Sequence, residues 1–235
     1  MTGNELGNGK KEFHPAMNEE TNHPLNIVIV GTAGQGVITL KRFIEYVAME
    51  EGYKCIYGSE MHGLAQREGA ISSHCRLQRE VSSNTRENMH SPTICHGDAD
   101  IVIGLEPVEV LRNAGLLCSE KTVFAINSRD IPPIMVTAGK QSYPSLDEIQ
   151  EILERYSGGE HDRIYFLNAT KIALEQLDDA QKMNMIMLGF TLAVTGLSFS
   201  MDACNKVATR ELKDSKMNEK AIELGLQSGK NLKHA

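Results

Sequence analysis

Apolar runs and amphipathic segments alternate along most of the chain, beginning near residue 25. Residues 27–30 form a continuous β-branched run without a polar position, which is typical of a strand covered on both faces. A Gly-rich turn at residues 31–36 follows, and then an amphipathic segment whose polar positions include Lys41. Its apolar positions recur at helical spacing: Val37, Leu40, Ile44, Val47 and Ala48. The pattern predicts a buried strand, a tight turn and a helix with Lys41 on its polar side.

Later segments continue the alternation of strand and helix patterns and predict a layered fold. Apolar runs predict further strands at residues 53–57, 70–77, 101–105, 123–126 and 164–167. Helical periods occur at residues 107–114, 145–157, 169–177, 180–196, 200–213 and 216–224. This order predicts an α/β fold of three layers, α/β/α, with a mostly parallel, mixed sheet and a helical C-terminus. No internal repeat or second domain is evident, so residues 25–235 are predicted to form one domain.

Capping chemistry sets several of the predicted helix ends. Pro107 suits a first helical position and Gly115 suits a stop, which predicts a short helix between them. Ser145 and Glu148 have the spacing of a capping box. The helix that they open is predicted to bury its apolar residues: Leu146, Ile149, Ile152 and Leu153.

Residues 58–69 interrupt the alternation of strands and helices. They are polar, charged and flanked by glycines, with too little apolar period for a helix, so a loop is predicted. The following strand at 70–77 alternates, and one of its faces carries Ser72, His74 and Arg76. No crossover helix precedes this strand, which predicts that it runs antiparallel to its neighbours.

Composition and charge narrow the function classes. Hydrophobic residues make up 41% of the 235 positions and charged residues 23%, as in a globular protein. The net charge of −7 disfavours a general binder of nucleic acid or anionic membranes. No run of about 18 apolar residues and no signal pattern occurs, so a cytoplasmic protein is expected. Residues 1–24 lack an apolar period and are predicted to be a disordered tail.

The five cysteines predict no metal centre. None of them lie at Cys-x-x-Cys spacing, so neither an iron–sulfur cluster nor a zinc ribbon is expected. His74 and Cys75 are adjacent, as are Cys95 and His96, and neighbours on a strand point to opposite faces. Buried, reduced thiols are therefore favoured over a metal site.

Two segments are candidates for chemistry. The turn at 31–36 has Gly-x-x-Gly-x-Gly spacing, which matches neither the dinucleotide fingerprint nor a P-loop. Its backbone N–H groups suit an anion, although a turn needed only for packing remains the alternative. The polar segment 59–69 is the second candidate, with a solvated surface loop as its alternative. If the strands are parallel, both segments share one sheet edge with Glu106, residues 127–129 and Asn168.

Several motifs in order carry a family resemblance over about residues 25–225. Residues 27–37 resemble the Gly-x-Gly-Gly-Gln-Gly opening of the γ-type subunit of 2-oxoacid:ferredoxin oxidoreductases. Residues 59–67, followed by Ser73-His74-Cys75-Arg76, resemble the β subunit of indolepyruvate:ferredoxin oxidoreductase. Further matches are Ser91-Pro92-Thr93-Ile94, Gly97-x-Ala99-Asp100, Leu105-Glu106-Pro107-x-Glu109, Asn184, Leu188-Gly189, Asn218 and Gly225. Ala33 and Glu68 depart from glycines that are usual in the family, which weakens the assignment of a substrate.

The resemblance implies a subunit without catalytic residues or cofactors of its own. Thiamine diphosphate, Mg and [4Fe-4S] clusters are expected on a large α subunit, with ferredoxin as electron acceptor and a 2-oxoacid and CoA as substrates. This chain would complete the active-site region, bind the α subunit and help to receive CoA. The residues expected to face substrate, CoA or partner are Gly34, Gln35, Gly36, Glu60, His62, Gln66, Arg67 and Glu106. The alternatives are the γ subunit of a pyruvate or 2-oxoglutarate oxidoreductase, and a non-catalytic assembly subunit.

Overall fold

A mixed six-stranded sheet forms the centre of the computed structural model, which describes residues 23–63, 69–80, 91–128, 143–159 and 161–233. The strands lie in the order β2-β3-β1-β4-β5-β6. Their bounds are β1 Leu25–Thr32, β2 Cys55–His62, β3 Ala70–Gln78, β4 Ala99–Gly104, β5 Cys118–Asn127 and β6 Ile164–Leu167. The predicted α/β class is confirmed.

Among these strands, only β3 runs against the common direction. β1 pairs in parallel with β4, and β4, β5 and β6 continue the parallel arrangement. β3 lies antiparallel between β1 and β2, as predicted from the missing crossover helix. The carboxyl ends of all the other described strands therefore meet at one edge of the sheet.

Helices cover both faces of the sheet and give two apolar clusters. The described helices are α1 Val37–Glu50, α2 Pro107–Leu117, α3 Leu146–Glu154, α4 Ala169–Leu177, α5 Met183–Thr195, α6 Met201–Glu211 and α7 Ser215–Lys233. The larger cluster joins one face of the sheet to α1 and α4–α7, and the smaller joins the other face to α2 and α3. Alternation along β4 shows the division, because Ile101 and Ile103 belong to the first cluster and Val102 to the second.

The two helices α5 and α7 pack with their backbones in close contact. α5 is buried along nearly its whole length, as its apolar composition predicts. A Cβ on Gly189 would overlap the carbonyl oxygen of Ile222, and a Cβ on Gly225 would overlap that of Ile186. These two glycines, which also matched family positions in the sequence, therefore allow the helices to approach each other.

Several predicted boundaries are wrong. α2 continues through Gly115 to Leu117, which is buried in the smaller cluster together with Ala114. The Ser145 capping box is confirmed, but Leu146 and Ile152 of α3 are exposed, and only Ile149 and Leu153 are buried. The last helix extends to Lys233. Residues 1–22 lie outside the described residues, so the tail stays a prediction.

Candidate functional site

The polar segment after Gly58 is mostly a strand. The prediction of a loop from residue 58 is wrong as far as His62, because β2 runs to that residue. Glu60 pairs with Ser73 and His62 with Ile71 across the antiparallel β2–β3 ladder. The backbone hydrogen bonds of β3 hold these polar residues extended, which their own low strand propensity did not predict. The predicted site residues Gln66 and Arg67 lie outside the described residues.

The glycine turn links the ends of β1 and β4. Gly34 and Gly36 have φ angles of +92° and +81°, which favour glycine. The Gln35 side chain folds back over the turn: its Oε1 accepts a hydrogen bond from Thr32 N at 2.7 Å, and its Nε2 donates to Leu105 O at 3.2 Å. Gln35 therefore holds the turn in shape with its side chain.

An open cavity of about 290 Å³ lies beside this turn, at the N-terminus of α1. Gly36 is the N-cap of α1, and no side chain caps that end of the helix. A Cβ on Gly36 would overlap the amide nitrogen of Asn184, which lies at the start of α5. The cavity is lined mainly by polar groups: Gly34, Gln35, Gly36, Thr39, Gln181, Lys182, Asn184, Met185, Leu212, Lys213 and Asn218. Two lysines and a helix N-terminus make it a favourable place for an anion.

A partly buried ion cluster lies between α1 and β2. The ammonium of Lys41 lies 3.2 Å from Glu60 Oε1 and 3.4 Å from Glu45 Oε1. Glu60 Oε2 lies 3.9 Å from Nε2 of the half-exposed His62. Burial raises the pKa of Glu45, although the charge of Lys41 opposes that effect. The sequence places Lys41 on the polar side of α1, but the structure buries it: Lys41 is 7% exposed.

Glu106 is engaged within the chain. It is 2% exposed, its Oε2 accepts a hydrogen bond from Glu109 N at 2.8 Å as the N-cap of α2, and Tyr143 donates to its other oxygen. Nearby, Asn127 Nδ2 donates to Leu105 O at 3.2 Å, the oxygen that also accepts from Gln35. The carboxyl ends of β1, β4 and β5 are thus tied together at one edge, as the sequence predicts.

The Ser-His-x-Arg motif holds the segment at residues 91–94 against the sheet. His74 Nδ1 accepts a hydrogen bond from Ile94 N at 3.0 Å. Arg76 donates to Ser91 O at 2.8 Å and to Asn26 Oδ1 at 2.9 Å. The polar face of β3 is therefore covered, and sequence reasoning did not predict this role. Cys75 points the opposite way, into the larger cluster, where burial raises the pKa of its thiol well above the ordinary value.

Within the described ranges, no three His, Cys, Asp or Glu side chains come together in a way that would hold a metal ion. Each helix in those ranges is too short or too polar to span a bilayer.

Comparison with known proteins gives the family. Residues 26–228 match the family described as "Pyruvate ferredoxin/flavodoxin oxidoreductase". The chain belongs to this family. It is similar to the "Indolepyruvate oxidoreductase subunit IorB" of Thermococcus kodakarensis, with 32% identity over 88% of this chain and 96% of that protein. The protein of the same name from Archaeoglobus fulgidus is 35% identical over 86% of this chain and 93% of that one.

Two solved structures share the fold. The γ subunit of a keto/oxoacid ferredoxin oxidoreductase from Geobacter sulfurreducens has a TM-score of 0.59 at 17% identity, over 87% of this chain and 98% of that chain. A 2-oxoglutarate:ferredoxin oxidoreductase from Magnetococcus marinus has a TM-score of 0.60 at 16% identity, over 89% of this chain but only 31% of that longer one. In the second protein, the fold is therefore one part of a longer chain.

Proposed function

We propose that this chain is the smaller subunit of a 2-oxoacid:ferredoxin oxidoreductase that acts on an aryl pyruvate such as indolepyruvate. The observation that carries the proposal is the 32–35% identity to curated relatives named IorB over more than 85% of this chain. The 2-oxoglutarate:ferredoxin oxidoreductase from Magnetococcus marinus is only 16% identical, which favours the aryl substrate over 2-oxoglutarate.

The chain acts in a complex with a large α subunit. In the Magnetococcus protein the same fold is joined to further sequence in one chain, which supports a partner that supplies what this chain lacks. Thiamine diphosphate, Mg and [4Fe-4S] clusters belong to that partner, which supplies bond breaking and electron transfer to ferredoxin. The carboxyl end of β2, with Glu60 and His62, contacts the α subunit. Gln66 and Arg67 follow directly in the chain and face the partner or the substrate.

The cavity beside the glycine turn receives an anionic part of CoA. Its support is the uncapped N-terminus of α1 together with Lys182 and Lys213, in a chain whose net charge is −7. A phosphate there would accept hydrogen bonds from backbone N–H groups and interact with both ammonium groups.

The test is reconstitution with the α subunit of the same organism. The complex should oxidise indolepyruvate with CoA and a viologen acceptor at a higher kcat/KM than pyruvate or 2-oxoglutarate. A preference for either of the latter would refute the aryl assignment. Assembly with no effect of Arg67→Ala on any substrate would instead favour a non-catalytic assembly subunit. If Arg67 binds an anion, Arg67→Ala should lower kcat/KM by about 10–100-fold, and Lys should not replace it.

A second measurement tests the cavity. Lys182→Ala with Lys213→Ala should raise the KM for CoA about tenfold without changing the KM for the 2-oxoacid. Lys206→Ala is the matched control, because Lys206 lies on the exposed face of α6. An unchanged KM for CoA in the double variant would remove CoA from this cavity.

A further inference from the structure

Lys41 carries a charge at a buried position of α1, which costs free energy. α1 otherwise packs on the sheet with Leu40, Ile44 and Val47, each fully buried. Burying an ammonium costs desolvation and side-chain entropy, and an apolar residue of similar volume is often at least as stable in such a position. A cation at this position is therefore not needed for packing.

A glycine on β2 leaves room for the Lys41 side chain. Gly58 lies under it on β2, and a Cβ there would lie 2.8 Å from Lys41 Nζ and 2.9 Å from Lys41 Cε, and would overlap the Glu45 carboxylate. Glycine weakens a strand interior and often marks a place where other groups approach closely. The missing side chain in β2 thus makes room for the Lys41–Glu45 pair.

The ammonium fixes one end of the Glu60 side chain. Lys41 Nζ donates to Glu60 Oε1 at 3.2 Å, while Oε2 lies on the side of the half-exposed His62. Glu60 itself is only a quarter exposed, so its carboxylate is held at the rim of the sheet. A charge that is already held in place loses less conformational entropy on binding than a free one.

We propose that Lys41 is a positioning residue, which holds the Glu60 carboxylate at the carboxyl end of β2 for contact with the α subunit. This rests on the proposed function, in which Glu60 belongs to that contact. Lys41 acts through Glu60 and touches neither substrate nor partner.

A double-mutant cycle on the reconstituted complex tests the proposal. The variants are Glu60→Gln, Lys41→Met with Glu45→Gln, and all three substitutions together. Glu45 is changed with Lys41 because its carboxylate would otherwise stay buried without a cation, whereas Glu60 lies at the rim of the sheet beside the half-exposed His62. The matched control is Lys171→Met with Glu175→Gln, an i,i+4 pair on the exposed face of α4. Affinity for the α subunit and the thermal midpoint of the isolated chain are both measured.

Glu60→Gln should weaken binding of the α subunit about tenfold, and the Lys41/Glu45 double variant should weaken it by at least about fivefold. The triple variant should bind no more weakly than Glu60→Gln, because Lys41 acts through the carboxylate that is already lost. The thermal midpoints of all the variants should stay near that of the wild type. Lys41→Gln with Glu45→Gln keeps a polar cluster above Gly58 and should give the same loss, should the methionine variant fold poorly.

The outcomes separate the two proposals. Weak binding by Glu60→Gln with wild-type binding by the Lys41/Glu45 variants overturns the role of Lys41 and leaves the contact of Glu60 intact. Losses that multiply in the triple variant also overturn it, because Lys41 would then act independently. Wild-type binding by Glu60→Gln overturns the Glu60 contact itself, and the positioning role with it.

Discussion

Gly225→Ala should destabilise the protein, although alanine is the better helix former. Gly225 lies inside α7, where an added Cβ would lie 2.7 Å from Phe190 N and 2.8 Å from Ile186 C of α5. Both are backbone atoms, so no side-chain rotation relieves the overlap. The nearest atom is the carbonyl oxygen of Ile186, which the Cβ would overlap, so the helices must separate by more than the roughly 0.7 Å that would bring Phe190 N to the 3.4 Å of ordinary contact.

The magnitude follows from two opposing effects. A gap of 0.5–1 Å forfeits roughly a quarter to a half of the dispersion energy at each contact, and overpacking typically costs about 1–3 kcal/mol. The backbone clash places Gly225→Ala near 3 kcal/mol, and the gain in helix propensity offsets about 1 kcal/mol. The net loss of about 2 kcal/mol should lower the thermal midpoint by about 4–8 °C in a chain of this size.

Gly115→Ala is the matched control, since Gly115 is also a helical glycine. Its added Cβ would meet only the hydroxyl end of Tyr156, at 3.1 Å, and Gly115 is exposed. Propensity alone should raise the midpoint by about 2–4 °C there. Differential scanning calorimetry of both variants and the wild type measures the three midpoints. A midpoint for Gly225→Ala at or above that of the wild type would refute the close approach of α5 and α7.

Three further results are expected. Desolvation by burial, together with the charge of Arg76, lowers the pKa of His74 in the folded chain. As the pH falls below about 6.5, His74 therefore takes up a proton in the unfolded chain before it does so in the folded chain. The free energy of unfolding should therefore fall from pH 7 to pH 5. His74→Asn should flatten that dependence, because the Asn Oδ1 can still accept a hydrogen bond from Ile94 N. If denaturant titrations show an equally steep dependence on pH in this variant, His74 is not its source. The chain purified anaerobically without its partner should contain no iron, and a visible cluster absorption with stoichiometric iron would contradict this. Deleting residues 1–24 should shift the thermal midpoint by less than about 4 °C, and a larger drop would mean that the tail packs on the domain.

The sequence predicted β1, the glycine turn and α1 correctly because the signals for these elements are local. A β-branched run, a glycine turn and a 3.6-residue period specify β1, the turn and α1 without reference to the rest of the chain. The antiparallel direction of β3 also followed from a local fact, the absence of a crossover helix. These features depend on neighbours in sequence, and all of them are found in the structure.

The remainder depends on contacts between distant segments. Residues 59–62 contain Ser59, Glu60 and His62, which have little strand propensity, and only the ladder with β3 makes them a strand. The burial of Lys41 was not predicted, because one of its carboxylate partners lies four residues away on α1 and the other lies on β2. The covering of His74 and Arg76 by residues 91–94 likewise gives no periodic signal, so sequence patterns alone do not predict it.

The close packing of α5 against α7 also has a consequence during synthesis. α5 is apolar on nearly every side, and Ala221 and Ile222 of α7 belong to the same buried cluster. The ribosome makes α5 before α7, so a nascent chain that stops short of residue 215 exposes the surface of α5 that α7 covers in the structure. Such transiently exposed apolar surface promotes aggregation and chaperone binding. The nascent chain can therefore bury the apolar surface of α5 only after α7 has been synthesised.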